Sequence, residues 1–105
     1  MSDPRWQLLQ EAKPALLRVG AERGVVRIEF VSAFPSSDRI VVWLGTETDR
    51  QRDSLGVDDP LLDEVRSVLV RTGFAPEQLN DLMTTAQSQE TVDRDYAGSW
   101  FYALR

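Results

Sequence analysis

The sequence predicts an α+β domain, in which an antiparallel sheet of about four strands carries two main helices packed on one face. Residues 24–48 have the pattern of two strands joined by a tight connection. Proline-led segments with helical periodicity lie on both sides of that pair, and the C-terminal residues are again rich in strand formers. The 105 residues are expected to form a single domain over residues 1–105, with the order α-β-β-α-(short α)-β-β.

The first helix is predicted from Asp3-Pro4, which supplies an N-cap acceptor followed by proline at the first helical position. Pro14 lies inside this segment, and an interior proline removes a backbone hydrogen bond. We therefore expect a kink near Lys13, or two short helices that share one apolar face. Gly20 or Gly24 is expected to end the segment. Apolar residues recur near helical spacing: Trp6, Leu9, Ala12, Leu16 and Val19.

The hairpin is the clearest structural signal. In its first strand, apolar residues fall on one face, while Arg27 and Glu29 fall on the other. The second strand, residues 39–46, is apolar on both faces and includes Trp43, which indicates a central strand or one whose second face is also covered. Residues 35–38 have the composition of a turn. These features predict antiparallel pairing.

The middle of the chain is read as a loop and a helix. Residues 46–56 are polar and have no periodicity, which predicts a solvated loop. Asp58-Asp59-Pro60 has the same composition as the first helix start, and Gly73 is suited to follow the last turn. An apolar stripe runs between them: Leu61, Leu62, Val65, Val68 and Leu69.

The last third is less regular. Pro76 is expected to open a short helix. Residues 83–90 are predicted as an edge strand, with continuation of the helix as the alternative. Residues 91–98 are predicted as a turn or a single helical turn, and residues 99–104 as the final strand.

Several chemistries are excluded or disfavoured by composition. The chain has no histidine and no cysteine, so a Ser-His-Asp triad, thiol catalysis, disulfides and zinc thiolates cannot form. The zincin, P-loop and dinucleotide-binding motifs are also absent. Residues 93–98 are similar to the start of a calcium loop, but Ala97 and Leu104 stand where oxygen ligands are required. We predict no catalytic residue, no metal site and no cofactor, and an enzymatic role is disfavoured.

The net charge is -5, which disfavours nucleic acid and anionic membranes as partners, because binding to both depends on basic residues. Lys13 is the only lysine among 12 basic residues, as in proteins from GC-rich bacterial genomes. The apolar runs are too short to span a bilayer, and the first residues lack the pattern of a signal peptide. We therefore expect a cytoplasmic location.

The C-terminal residues 94–105 contain four of the nine aromatic residues. Core packing is the ordinary role of such side chains. The alternative is an exposed aromatic patch on the second face of the sheet, where Trp, Tyr and Arg commonly dominate protein contacts. The candidate protein-contact residues are Trp43, Arg94, Asp95, Trp100 and Tyr102.

We therefore predict a small, acidic, non-enzymatic interaction domain that binds another protein or itself through the sheet face bearing Trp43 and Trp100. An immunity or antitoxin-like protein that neutralises a basic partner has this size and charge, and a homo-oligomer is a further possibility. The alternative function is a small-molecule-binding or carboxylate-dependent enzyme domain. In that case, two or more of Asp93, Asp95 and Glu29 should line a deep cavity with Tyr96 or Tyr102 nearby.

Overall fold

A computed structural model describes residues 3–56 and 59–104, which form an α+β fold with one three-stranded sheet. A short 3-10 turn, Pro76–Leu79, precedes the last strand. Of the helix start predicted at Asp58-Asp59-Pro60, Asp58 lies outside the described residues. In chain order the helices are α1 (Pro4–Ala21), α2 (Asp49–Leu55), α3 (Asp59–Thr72), α4 (Gln89–Tyr96) and α5 (Trp100–Ala103), and the strands are β1 (Val25–Ser32), β2 (Ile40–Thr46) and β3 (Met83–Ser88).

The strand order is β1-β2-β3, with β2 in the centre. β1 and β2 form the predicted antiparallel hairpin, with Ile28 opposite Leu44. β3 is a strand at the edge, as predicted, but it runs parallel to β2, with Leu44 beside Ala86. The prediction of an all-antiparallel sheet was therefore wrong. The chain between β2 and β3 contains α2, α3 and the 3-10 turn, and a crossover of this length returns the chain to the end where β2 began.

The predicted fourth strand, residues 99–104, was also wrong, because Trp100–Ala103 is the helix α5. Left-handed backbone at Ala97 and Gly98 ends α4 and reverses the chain. The hydroxyl of Ser99 then accepts a hydrogen bond from the Tyr102 N–H and caps a new helical turn. Aromatic residues favour strands only where a neighbouring strand is available for pairing. Here the reversal places Trp100 against a sheet face and leaves Phe101 and Tyr102 exposed.

Two polar segments are more helical than predicted. The expected loop at residues 46–56 contains α2, whose first turn is stabilised by a reciprocal capping box between Thr48 and Gln51. The expected turn at residues 91–98 is largely α4, which begins at Gln89 behind the N-cap Ser88. In both cases the side chain of the cap residue satisfies a backbone N–H that would otherwise need water.

Pro14 neither splits the first helix into two nor ends it: α1 is a single 18-residue helix that begins behind its N-cap Asp3. Proline removes one hydrogen bond, the one that would reach the carbonyl of Gln10. Both Pro14 and Gln10 lie on the exposed side of the helix, so water can bind the released carbonyl. Burial of the opposite side, at Leu9 and Leu16, holds the helix together across this position.

The two main helices, α1 and α3, pack together on one face of the sheet, as predicted. Their apolar stripes and the inward side chains of the strands form one core cluster. Among the strands, burial is most complete on β2, where Val42 is fully inaccessible. This core leaves the other face of the sheet for the remaining elements. The members of the core cluster include Leu9, Leu16, Ile28, Ile40, Leu44, Leu61, Val65 and Leu69.

The hairpin connection is attached to the start of α1 by one arginine. The guanidinium of Arg5 pairs with the N-cap Asp3 at 2.9 Å and with Asp38 in the hairpin connection at 2.6 Å. It also lies 4.0 Å from the ring centre of Phe34, which makes an edge contact with Trp6. These contacts fix the hairpin connection against the N-terminal turn of α1.

We predict that Gly20→Ala destabilises the protein, although alanine normally favours a helix by about 1 kcal/mol over glycine. A Cβ at Gly20 would lie only 2.6 Å from the Cβ of Val25, so α1 and β1 would have to separate. We expect a loss of about 1–3 kcal/mol in the free energy of unfolding, measured by urea denaturation. As the control, Ala21→Gly at the adjacent exposed position should cost about the ordinary helix propensity. Stabilisation by Gly20→Ala would contradict this packing.

Candidate functional site

The face of the sheet opposite α1 and α3 is covered along only part of its length. Strand side chains alternate between faces, so the observed register identifies which residues share this face. We call it the open face. Its members are Arg27, Glu29 and Val31 from β1, Val41, Trp43 and Gly45 from β2, and Met83, Thr85 and Gln87 from β3.

One end of the open face is an apolar row that crosses all three strands. Val31 lies opposite Val41, which lies beside Met83. Val31 and Met83 are 37% and 44% exposed, and Val41 between them is half-buried. Trp43, also half-buried, stands two residues further along the central strand. The row and Trp43 thus form a continuous apolar surface that is accessible to solvent.

The other end of the open face is covered by α5. The indole of Trp100 is 8% exposed and lies against Gly45, where an added Cβ would be 3.0 Å from the Trp100 ring. The guanidinium of Arg27 lies 4.9 Å from the same indole. The indole N–H donates to the Gln89 side chain at 2.9 Å. Trp100 is therefore a packed side chain, and it marks the limit between the covered end of the open face and the accessible end.

A groove follows the outer edge of β1, between the N-terminal turn of α1 and α5. We call it the edge groove, and its volume is about 380 Å³. Glu29 and Ser32 provide its polar side chains, and its apolar lining is Trp6, Phe30, Val31, Trp100, Phe101 and Leu104. A second hollow of about 260 Å³ lies beyond Val31 and is bounded by Val41 and the hairpin connection. Val31 thus borders both depressions, and concave apolar surface continues from the β1 edge onto the open face.

A separate polar cluster joins the first turns of α2 and α4. The carboxylate of Asp49 accepts a short hydrogen bond from the Ser88 hydroxyl and one of 2.6 Å from the Thr91 hydroxyl. Its other oxygen accepts from Arg94 at 3.0 Å. Arg52 donates to Thr91 at 2.8 Å. We call Asp49, Ser88, Thr91, Arg94 and Arg52 the polar latch, because they hold α2 against α4.

The chemistry of the polar latch is that of a structural contact. Hydrogen bonds from Ser88 and Thr91, followed by Arg94, hold the pKa of the Asp49 carboxyl well below its ordinary value of 3.8. A carboxylate stabilised in this way is a poor general base near neutral pH. Ser88 is completely buried, so its hydroxyl cannot attack a substrate that arrives from solvent. The geometry of the polar latch is therefore that of a structural contact between α2 and α4, and it does not provide a nucleophile and a general base.

The structure separates the predicted contact residues into three groups. Trp43 belongs to the accessible region of the open face and is half-buried, whereas Trp100 lies on α5 and packs over the other end of that face, against Gly45. Tyr102 lies on α5 and is 61% exposed. Arg94 and Asp95 belong to α4, where Arg94 is directed to Asp49 as well as to Asp95. The sequence pattern put Trp100 on a strand of the sheet, whereas it lies on the helix α5, and it did not identify the contact of Arg94 with Asp49.

Sequence reasoning missed Met83 and Val31 as parts of one surface, and it missed the polar latch. The apolar row depends on the parallel pairing of β3, which no local pattern signals. For the polar latch a signal did exist: Thr48-Asp49-Arg50-Gln51 has the spacing of a capping box. A helix recognised at that point would have brought Asp49 into the first turn of α2.

The alternative of a carboxylate-lined cavity receives little support from the edge groove. Glu29 borders it, but Asp93 and Asp95 do not. In the part of the chain that the structure describes, no three acidic side chains are grouped closely enough to hold a metal ion. Among the described helices, none has the length and apolar character needed to cross a membrane.

Comparisons with known proteins add no relative: no protein-family model, no curated protein and no solved structure matches this chain. The features of the molecule that bear on function are the open face, the edge groove and the polar latch.

We predict that Asp49→Asn lowers the free energy of unfolding near neutral pH, because the amide cannot reproduce the charge-assisted bonds from Arg94 and the two hydroxyls. The lowered pKa means that Asp49 stabilises the folded chain above its ordinary pKa of 3.8. That contribution is lost as the pH falls from there toward the lower folded pKa. The difference between parent and variant should therefore narrow in acid, as measured by urea denaturation over a pH series.

Asp53→Asn is the matched control, because Asp53 is an exposed carboxylate of the same helix that pairs with Arg52. It removes the same charge but should change stability little at any pH. An Asp49→Asn effect that stayed constant from neutral to acid pH would contradict the assignment of the charge to the polar latch.

Proposed function

We propose that this chain is a protein-interaction domain that docks a protein partner on the accessible end of the open face. The observation that carries the proposal is the apolar row Val31-Val41-Met83 with Trp43 beside it, exposed on the face that α1 and α3 do not cover. Contiguous apolar surface of this kind is costly in water. On a folded domain it commonly marks a contact with another protein.

The shape of the surface supports the same proposal. Hollows of about 380 and 260 Å³ lie on the two sides of Val31, and both can receive side chains from a partner. Trp43 lies at the centre of the sheet and is only half-buried. A tryptophan in the middle of a contact surface is a frequent anchor of binding energy, because its large ring loses much water when it is covered.

Charge favours a basic partner over a polyanion. The net charge of -5 attracts basic proteins by long-range steering and repels nucleic acid. Within the open face, Arg27 and Glu29 are paired at 3.2 Å. The guanidinium of Arg39 lies 2.6 Å from the Met83 sulfur and places one positive charge beside the apolar row. A neutraliser of a basic protein, as an immunity or antitoxin-like protein is, fits this combination.

We predict that Trp43→Ala and Val41→Arg each weaken partner binding by about tenfold or more, since a buried anchor commonly contributes at least about 1.4 kcal/mol. The partner is first captured from the source cells with the parent chain and identified, and each variant is then titrated against it by calorimetry. Val70→Arg is the control, because Val70 is an exposed apolar residue of α3, on the other side of the molecule.

Circular dichroism of the same variants separates docking from folding. Variants that remain folded and lose the partner support the proposal, while Val70→Arg should bind as the parent does. If Trp43→Ala and Val41→Arg bind normally, the open face is not the docking surface. If both unfold, the two side chains belong to the core and the proposal loses its basis.

A second candidate function is the binding of a small apolar molecule in the edge groove. Its volume of about 380 Å³ falls within the usual range of ligand sites. Saturable quenching of tryptophan fluorescence by a small aromatic probe would favour this candidate if it is lost in Leu104→Glu, because Trp6 and Trp100 both line the groove. A response that rises linearly with the concentration of the probe would contradict it.

A further inference from the structure

β1 forms an outer edge of the sheet. Within the described residues it pairs with β2 on one side, and its other side follows the edge groove. An unpaired strand edge presents backbone N–H and C=O groups that can bond to another strand. Natural proteins often protect such an edge with charges, and here the charges have an unusual arrangement.

Arg27 and Glu29 are the charged residues of β1, and they lie on the same face with one residue between them. Their side chains are 43% and 31% exposed. Ile28, between them, faces the core. A strand that carries a positive and a negative charge at equal distances on either side of one residue is complementary to an antiparallel copy of itself.

We propose that two copies of this chain pair edge to edge through β1, antiparallel about Ile28, and form one continuous six-stranded sheet. In this register Arg27 of each copy lies opposite Glu29 of the other. The four charges, two from each copy, then alternate in sign around the symmetry axis, so that each charge has an opposite charge within its own chain and another across the interface. Opposite charges placed directly across an antiparallel pair stabilise it.

Neighbouring registers are disfavoured by the same charges. A two-fold axis at residue 27 would place Arg27 against its own copy, and an axis at residue 29 would do the same with Glu29. Like charges directly opposite each other destabilise a strand pair. The charge pattern therefore selects a single arrangement among adjacent ones, which gives an isologous interface.

The apolar surroundings of β1 suit the same arrangement. Val26 is 56% exposed at the bulged start of the strand. In the proposed register it lies opposite Phe30 of the other copy, where the edge groove begins. The groove would thus receive side chains from the second copy, while the open faces of both copies would remain accessible on one side of the joined sheet. This inference does not depend on docking at the open face.

The test uses charge exchange and sedimentation velocity at concentrations of about tens of micromolar, where an interface of moderate affinity is populated. The parent should sediment with twice the mass of the chain. Arg27→Glu alone and Glu29→Arg alone each place like charges across the axis, so each should weaken self-association at least about tenfold. Glu64→Arg makes the same charge change as Glu29→Arg, but on the exposed surface of α3, and should leave the dimer intact.

Two combinations identify the register. The double variant Arg27→Glu/Glu29→Arg restores opposite charges across the axis and should recover the dimer. A mixture of the two single variants should form a heterodimer, because the acidic pair of one matches the basic pair of the other. Circular dichroism establishes that each variant is folded. If Arg27→Glu, which removes a contact to Trp100, fails to fold, Glu29→Arg compared with Glu64→Arg keeps the test decisive.

A parent that sediments as a monomer overturns the inference, and so does a dimer that survives both single changes. A dimer that is lost in Val41→Arg but not in Glu29→Arg also overturns it, because the contact would then lie on the open face. The two proposals can also be separated in the other direction. If the β1 edge dimer forms and the open-face variants bind every captured partner normally, the proposed function is wrong and this inference stands.

Discussion

The packing of β2 is the constraint on which the rest of the structure depends. In the described part of the chain it is the strand with neighbours on both sides, antiparallel to β1 and parallel to β3. Its inward residues Ile40, Val42 and Leu44 are all within 2% of complete burial. The positions of α1 and α3 follow from the need to cover these side chains. Because the helices cover one face, the outward residues Val41 and Trp43 are left for α5 or for a partner.

The two pairings of β2 have different consequences. The antiparallel pairing with β1 follows from a short connection, which Arg5 attaches to the start of α1 through Asp38. The parallel pairing with β3 requires a crossover. It places the C-terminal ends of β2 and β3 side by side at the same end of the sheet. α2 and α4 start directly after these ends. Asp49 and Thr91 are therefore in contact, and the polar latch joins α2 to α4 at that end of the sheet.

Trp100 shows how a residue expected to mark a surface can serve to delimit one. Its indole occupies the space that the missing side chain of Gly45 leaves on the open face. This covers the Arg27 end of the sheet, while the row at Val31 remains accessible. The accessible area is thus shaped by a glycine on the central strand and by the chain reversal at Ala97 and Gly98, in addition to the apolar residues themselves.

The sequence by itself determined the α+β class, the β1–β2 hairpin and both main helices. These features rest on patterns read over a few neighbouring residues: alternation, helical spacing, and proline or acidic caps. The tertiary structure alone decided the parallel pairing of β3, the helical form of residues 100–103, and the roles of Arg94 and Asp49. The pairing of β3 and the roles of Arg94 and Asp49 depend on contacts between residues far apart in the chain, such as Val41 with Met83 and Asp49 with Arg94. The helix at residues 100–103 is capped locally by Ser99, but its position on the sheet depends on the distant contact of Trp100 with Gly45. The free energy of these distant contacts has no signature in the local sequence, because pairing and burial arise only when the distant segment packs against them.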